Sequence, residues 1–142
     1  MEKKEFKLLS FQFDKILAEK DPLFKGKLQE TTSNIDIKNI EKEKISLIDK
    51  EPLKVDFVFT LKFGELGKLE MGGRVLFLLD KESEEAALKE WKSKKLPENL
   101  RLIILNLILQ KSTLKALQIE EELGLPLHIN LPRLQIQKSE DK

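Results

Sequence analysis

Between Leu53 and Phe63 every odd position is apolar: Leu53, Val55, Phe57, Phe59, Leu61 and Phe63. Lys54, Asp56, Thr60 and Lys62 hold the even positions, with Val58 the single apolar exception. Successive side chains of a β-strand point to opposite faces, so this period of two sets six apolar side chains on one face of a sheet. A helix would scatter the same residues around its circumference. A strand of this kind needs a second layer over one face and tolerates water on the other.

The neighbouring segments extend the sheet. Gly64 to Gly67 reads as a turn, after which Leu69, Met71, Val75, Phe77 and Leu79 resume the odd-position pattern. Two alternating runs around a short Gly-containing loop predict an antiparallel hairpin. Gly72-Gly73 lies inside the second run, where paired glycines mark a bulge or a close backbone approach. Upstream, Lys7 to Leu17 reads as a first strand in which Phe11 and Phe13 alternate with Gln12 and Asp14. Ile16 and Leu17 break that period, which predicts a bulge or a strand end, and Asp21-Pro22 punctuates the chain. From Lys27 to Asp49 the pattern is weaker. Ile35 and Ile37 flank Asp36, Ile45 and Leu47 flank Ser46, and Glu41-Lys42-Glu43-Lys44 lies between them. One long irregular strand or two short ones would account for it.

Helices follow the strands. Asp80 to Lys95 is helical in composition, with Asp80 or Ser83 as the cap, Glu82, Glu84 and Glu85 near the positive end of the helix dipole, and Ala87, Leu88 and Trp91 as a narrow apolar stripe. Pro97 suits the first turn of a second helix that ends near Gln110 or continues to Leu123. Gly124 followed by Pro126 is a stop signal. An extended tail from Leu125 to Gln137 and a disordered Lys138 to Lys142 complete the expectation. The predicted fold class is α+β: a four-stranded antiparallel sheet packed on one face by C-terminal helices, in a single domain covering residues 1–142. Leu102, Ile103, Ile104, Leu105, Leu107, Ile108 and Leu109 surround most of the second helix. An all-round apolar helix must be covered on both sides, and one sheet covers one side. Either the first helix and the tail cover the rest, or another subunit does. We favour a homo-oligomer, a dimer or tetramer, with Leu102, Leu105 and Leu109 at the interface.

Composition excludes several kinds of chemistry. The chain of 142 residues contains no Cys, so thiolate metal sites, disulfides and a cysteine nucleophile are absent. His128 is the only histidine and has no visible carboxylate partner in the sequence; Glu120-Glu121-Glu122 reads as a solvated helix face. The glycines lack the strand–loop–helix context of a phosphate loop. No cofactor, metal or enzymatic activity is expected. Charged residues make up 36% of the chain but the net charge is only +1, which disfavours a nucleic-acid footprint. Lys- and Glu-rich, Cys-free composition is also a thermophile-like bias. The start of the chain lacks the apolar stretch of a signal peptide, and the run from Leu102 to Leu109 is short of the roughly 20 residues of a membrane span. A cytoplasmic protein without membrane insertion is expected.

Three segments carry a resemblance to a known family: Phe11-Gln12-Phe13-Asp14-Lys15-Ile16; Gly72-Gly73 followed by Val75-Leu76-Phe77-Leu78; and Leu125-Pro126-Leu127-His128-Ile129-Asn130-Leu131. With Leu96-Pro97 entering the apolar helix, their order resembles the SecB family of export chaperones over about residues 8 to 136. The resemblance implies a SecB-like fold, assembly as dimers of dimers, and ATP-independent binding of unfolded, apolar polypeptide. It implies a binding groove at the connection from Asp80 to Leu96, with Leu88, Trp91, Leu96 and Phe77 as peptide-binding residues. Lys68 stands where the family's motor-contacting patch would have a Glu, Ser112 to Leu123 looks like an insertion, and the family's C-terminal helix has no counterpart. The alternative is a dedicated adaptor or assembly module on the same scaffold without general chaperone activity.

Overall fold

The computed structural model describes residues 6–27, 30–44, 51–132 and 134. The element order is β1 (Phe6–Lys20), β2 (Thr32–Lys42), β3 (Leu53–Lys62), β4 (Gly67–Leu79), α1 (Lys81–Trp91) and α2 (Glu98–Leu123). The four strands form one antiparallel sheet in the order β1-β4-β3-β2, with two helices after it, an α+β fold as the sequence predicts. The sequence had not placed the strands. β1 and β2 are consecutive yet occupy opposite edges. Their connection crosses about 14 Å of sheet, given strand spacings near 4.8 Å. The expected alternation around Ser46 and the expected disordered end at Lys138 to Lys142 lie outside the described residues.

β3 and β4 form the centre. Leu53, Val55, Phe57, Phe59 and Leu61 of β3 are all buried, as are Leu69, Met71, Val75 and Phe77 of β4. Residues directly opposite each other in an antiparallel pair share a face, and the register Leu53↔Phe77, Val55↔Val75, Phe59↔Met71, Leu61↔Leu69 puts all of them on one side. Cross-strand ion pairs occupy the other side: Lys15 Nζ lies 2.9 Å from Glu70 Oε2, and Lys54 Nζ 3.0 Å from Glu41 Oε2. The hydrogen bond from Lys15, reinforced by its charge, holds the Glu70 carboxyl below the ordinary carboxylate range. The hydrogen bond to Glu41 raises the Lys54 ammonium above its ordinary range, against an opposing desolvation and with help from the charges of Asp56, Glu41 and Glu43.

Both edge strands keep this face by skipping residues. In β1 the register slips between Leu8 and Ser10 and again between Phe13 and Lys15. Positions on the apolar face therefore run Phe6, Leu8, then Phe11, Phe13, then Ile16, Ala18, opposite Leu79, Phe77, Val75, Gly73, Met71 and Leu69, with Leu8 and Ile16 still exposed at this edge of the sheet. The broken period at Ile16-Leu17 is thus the trace of a bulge at Asp14, and the strand runs on to Lys20 rather than ending at Leu17. β2 slips once, between Ile37 and Asn39, so that Ile35 and Ile37 are followed by Ile40 opposite Val55.

The double glycine divides its roles. A Cβ on Gly73 would stand 2.1 Å from the Gln12 carbonyl oxygen and 3.0 Å from Phe57 Cζ, whereas one on Gly72 would meet nothing closer than 3.6 Å. Gly73 lets β1 approach and leaves room for the cluster of Phe11, Phe13 and Phe57, whose ring centroids lie 5.2–6.1 Å apart.

α1 starts at Asp80, whose Oδ2 accepts from the Ser83 N–H at 3.0 Å. Pro97 sits at the N-cap of α2, one place before the first turn expected for it, and the helix runs unbroken to Leu123. Gly124 closes it with φ 73°, and the Leu125 N–H donates to the Glu120 carbonyl at 2.8 Å, the hydrogen-bond pattern of a glycine-terminated helix. By length and composition α2 could cross a membrane, its most apolar 18-residue window reaching a mean hydropathy of 1.3, which the short Leu102–Leu109 run had not suggested. Here its buried line, Leu100, Ile104, Ile108, Ser112, Ala116 and Glu120, belongs to the interior, and the helix contacts β2 and β3. A step of four residues drifts about 40° around a helix of 3.6 residues per turn. The first half of the line therefore joins one core cluster with Val55, Phe57 and Phe77, while Ala116 joins a second with Phe59, Leu61, Leu69 and Met71.

Replacing Gly73 by Ala should lower unfolding stability by about 2–3 kcal/mol through overpacking, while Gly72→Ala should change it by less than about 1 kcal/mol. Urea denaturation of the two variants measures this difference; equal midpoints would show that the close approach at Gly73 is not a constraint.

Candidate functional site

Two clefts flank the connection from α1 to α2. The first, of about 670 Å³, opens between the outer edge of β2 and the helices, and is lined by Ile35, Ile37, Trp91, Leu96 and Leu105 together with charged residues. Its lining includes Ile35, Asp36, Ile37 and Lys38 in succession. Successive residues alternate between faces, so a cleft that touches four in a row runs along the edge of the strand itself. The second, of about 750 Å³, lies on the β1 side of α1, among Phe6, Leu79, Ala86, Pro97, Leu102 and Ile103.

The shape of the first cleft comes from the way α1 ends. Lys94 adopts φ 62°, the left-handed region, and its N–H donates to the Trp91 carbonyl at 2.8 Å. The reversal brings Leu96 inward and launches α2 at Pro97. Lys94 Nζ rests 4.9 Å from the centroid of the Trp91 ring, a cation–π contact.

Of the four residues expected to bind peptide, the structure brings two to this cleft. Trp91 is half-buried: it packs against the core and also lines the cleft. Leu96 forms part of the floor. Leu88 is half-buried against the core and lines neither cleft. Phe77 is 0% exposed and stacked on Phe6 with centroids 4.8 Å apart, so the expectation of a surface role for Phe77 is corrected: its inward register position makes it core. Of the expected interface residues, Leu102 and Leu109 are 50% and 44% exposed, and Leu105 is half-buried in the first cleft. Neither α1 nor the described tail covers Leu102, Ile103, Leu109 or Leu114.

A second feature escaped the sequence. Glu120 is 0% exposed, not part of a solvated face, and both its oxygens are engaged by one residue: the His128 backbone N–H donates to Oε1 at 3.2 Å and His128 Nδ1 lies 2.7 Å from Oε2. The lone histidine therefore has a carboxylate partner eight residues away, reached by folding the tail back over the end of α2. The His128 ring also meets Phe59 edge-on, centroids 6.5 Å apart. The only sequence signal was the i, i+4 spacing of Glu120 from Ser112 and Ala116, which continues the buried line. Among the described residues no group of three His, Asp or Glu side chains is placed to hold a metal ion.

Comparison with protein-family models, with curated proteins and with solved structures finds no match for this chain.

Glu120→Ala should cost about 2–3 kcal/mol, because it strands a buried imidazole and a backbone N–H. In a double-mutant cycle, Glu120→Ala and His128→Ala should be coupled by at least about 1 kcal/mol. Additive losses in urea denaturation would show that the pair does not fasten the tail.

Proposed function

We propose that this chain is an ATP-independent holdase of the SecB type, binding unfolded or apolar stretches of polypeptide in the cytoplasm. The observation that carries the reading is the first cleft: an apolar floor of Ile35, Ile37, Trp91, Leu96 and Leu105 beside the outer edge of β2, which pairs with no further strand among the described residues. An edge strand presents free backbone N–H and C=O groups that an extended chain can pair with, while alternate side chains of that chain enter the apolar floor. The register slip at Lys38 limits the regular edge to a short stretch, which suits capture of a segment without open-ended strand addition. The ordering of motifs that resembles the SecB family supports the same reading.

The exposed apolar side chains of α2 support homo-oligomerisation. Leu102, Ile103, Leu109 and Leu114 lie on one element and are 42–65% exposed, a clustering more typical of an interaction surface than of scattered surface leucines.

The chain in several-fold excess should suppress aggregation of a chemically unfolded client without nucleotide, and client binding should shift the emission of Trp91, the only tryptophan. Trp91→Ala should weaken client binding about tenfold or more, the loss expected for an aromatic anchor, with circular dichroism unchanged. Absence of suppression removes the reading, and capture of a single stoichiometric partner in its place would mark a dedicated adaptor. Light scattering should give a dimer or tetramer, and Leu102→Glu with Leu109→Glu should lower the mass; a strict monomer at micromolar concentration contradicts the oligomer.

A further inference from the structure

The rim of the first cleft is not neutral. Four basic side chains, Lys38, Lys94, Lys95 and Arg101, stand against two acidic ones, Asp36 and Glu98. The whole chain has 26 basic and 25 acidic residues, so this excess is local. The second cleft, on the other side of the same helix, has Glu90 as its one charged lining residue.

The two acids are already occupied in part. Asp36 Oδ2 lies 3.9 Å from Lys38 Nζ. Glu98 sits in the first turn of α2, where the helix dipole favours a negative charge. Lys95 and Arg101 make no ion pair among the described residues, and both are exposed. Lys94 is drawn over Trp91 by its left-handed backbone, so its positive charge is held above the apolar floor. Positive charge thus gathers on the helix side of the cleft, where Lys94, Lys95 and Arg101 outnumber Glu98, facing a strand edge that offers Ile35, Ile37 and the paired Asp36 and Lys38.

We propose that this cleft selects extended apolar segments flanked by acidic residues, an inference that rests on the polypeptide-binding reading above. Apolar side chains of the segment fill the floor. Carboxylates before or after them meet Lys95 and Arg101, while a basic flank meets like charge at the same place. Charge complementarity of this sort sets partner choice more than raw affinity, and salt screens it because the rim is exposed.

Two tryptophan-free peptides with one apolar centre, one flanked by Glu and one by Lys, separate the possibilities. Their dissociation constants follow from fluorescence anisotropy, with Trp91 emission as an independent report of occupancy. At about 50 mM salt the Glu-flanked peptide should bind on the order of tenfold more tightly, and at about 500 mM the difference should largely vanish. Lys94→Glu, Lys95→Glu and Arg101→Glu together should reverse the order of preference, with circular dichroism confirming the fold. Equal affinities for the two peptides would overturn the charge selection and leave the binding reading in place. Binding of neither would overturn both. A preference that survives the triple substitution would remove its assignment to this cleft.

Discussion

Everything in this fold depends on one apolar face staying continuous across four strands. β3 and β4 achieve it by plain alternation, since Val55 meets Val75 and Leu61 meets Leu69 without interruption. The edge strands cannot, because their apolar residues are not evenly spaced. Two slips in β1 and one in β2 restore the phase, each by leaving a single residue unpaired. Without the slip at Asp14, Ile16 and Ala18 would turn to the opposite face of the sheet from Met71 and Leu69, since a one-residue shift reverses every side chain that follows. Gly73 is the companion of that slip, admitting the β1 backbone where a side chain would collide with it.

A sheet with one apolar face needs one covering layer, and α2 supplies it along a line of residues four apart. That line drifts around the helix, which lets a single 26-residue element close two core clusters in turn. The cost is that much of the helix's apolar surface has nothing over it among the described residues. Leu102, Ile103, Leu109 and Leu114 are what remains when a helix apolar nearly all round is laid on one sheet. The described part of the tail adds little there. It is drawn instead toward Glu120, where His128 engages both carboxylate oxygens and Leu125 enters the second cluster.

The clefts arise from the mismatch between a broad sheet and a narrow helical layer. α1 is short, ending at Trp91, and the turn after it contains the left-handed Lys94, so the space beside β2 is bounded by that turn and the start of α2. Turns carry polar residues and helix starts carry charge, and here the sum is basic. An apolar floor, the outer edge of a strand and a positive rim therefore come from three separate local causes that meet in one place.

The central hairpin, the helix cap at Asp80, the helix stop at Gly124 and the α+β class were legible in the sequence, because each rests on local rules of period, capping or turn chemistry. Trp91 and Leu96 were legible as residues of the connection that borders the cleft. The edge positions of β1 and β2 were not legible, since pairing partners far apart in the chain decide them. The resemblance assigns Phe77 to peptide binding, although its place in the alternating run from Leu69 to Leu79 already sets it on the buried face, and its pairing with Leu53 keeps it in the core. Glu120 reads as one of three charges in a row, and the returning tail alone makes it a buried acceptor. The alternation from Leu53 to Phe63 thus determined by itself that a sheet with one buried face exists. Which residues that face hides, and which it leaves open beside β2, were decided by tertiary structure, because burial is a property of pairs and layers and not of positions.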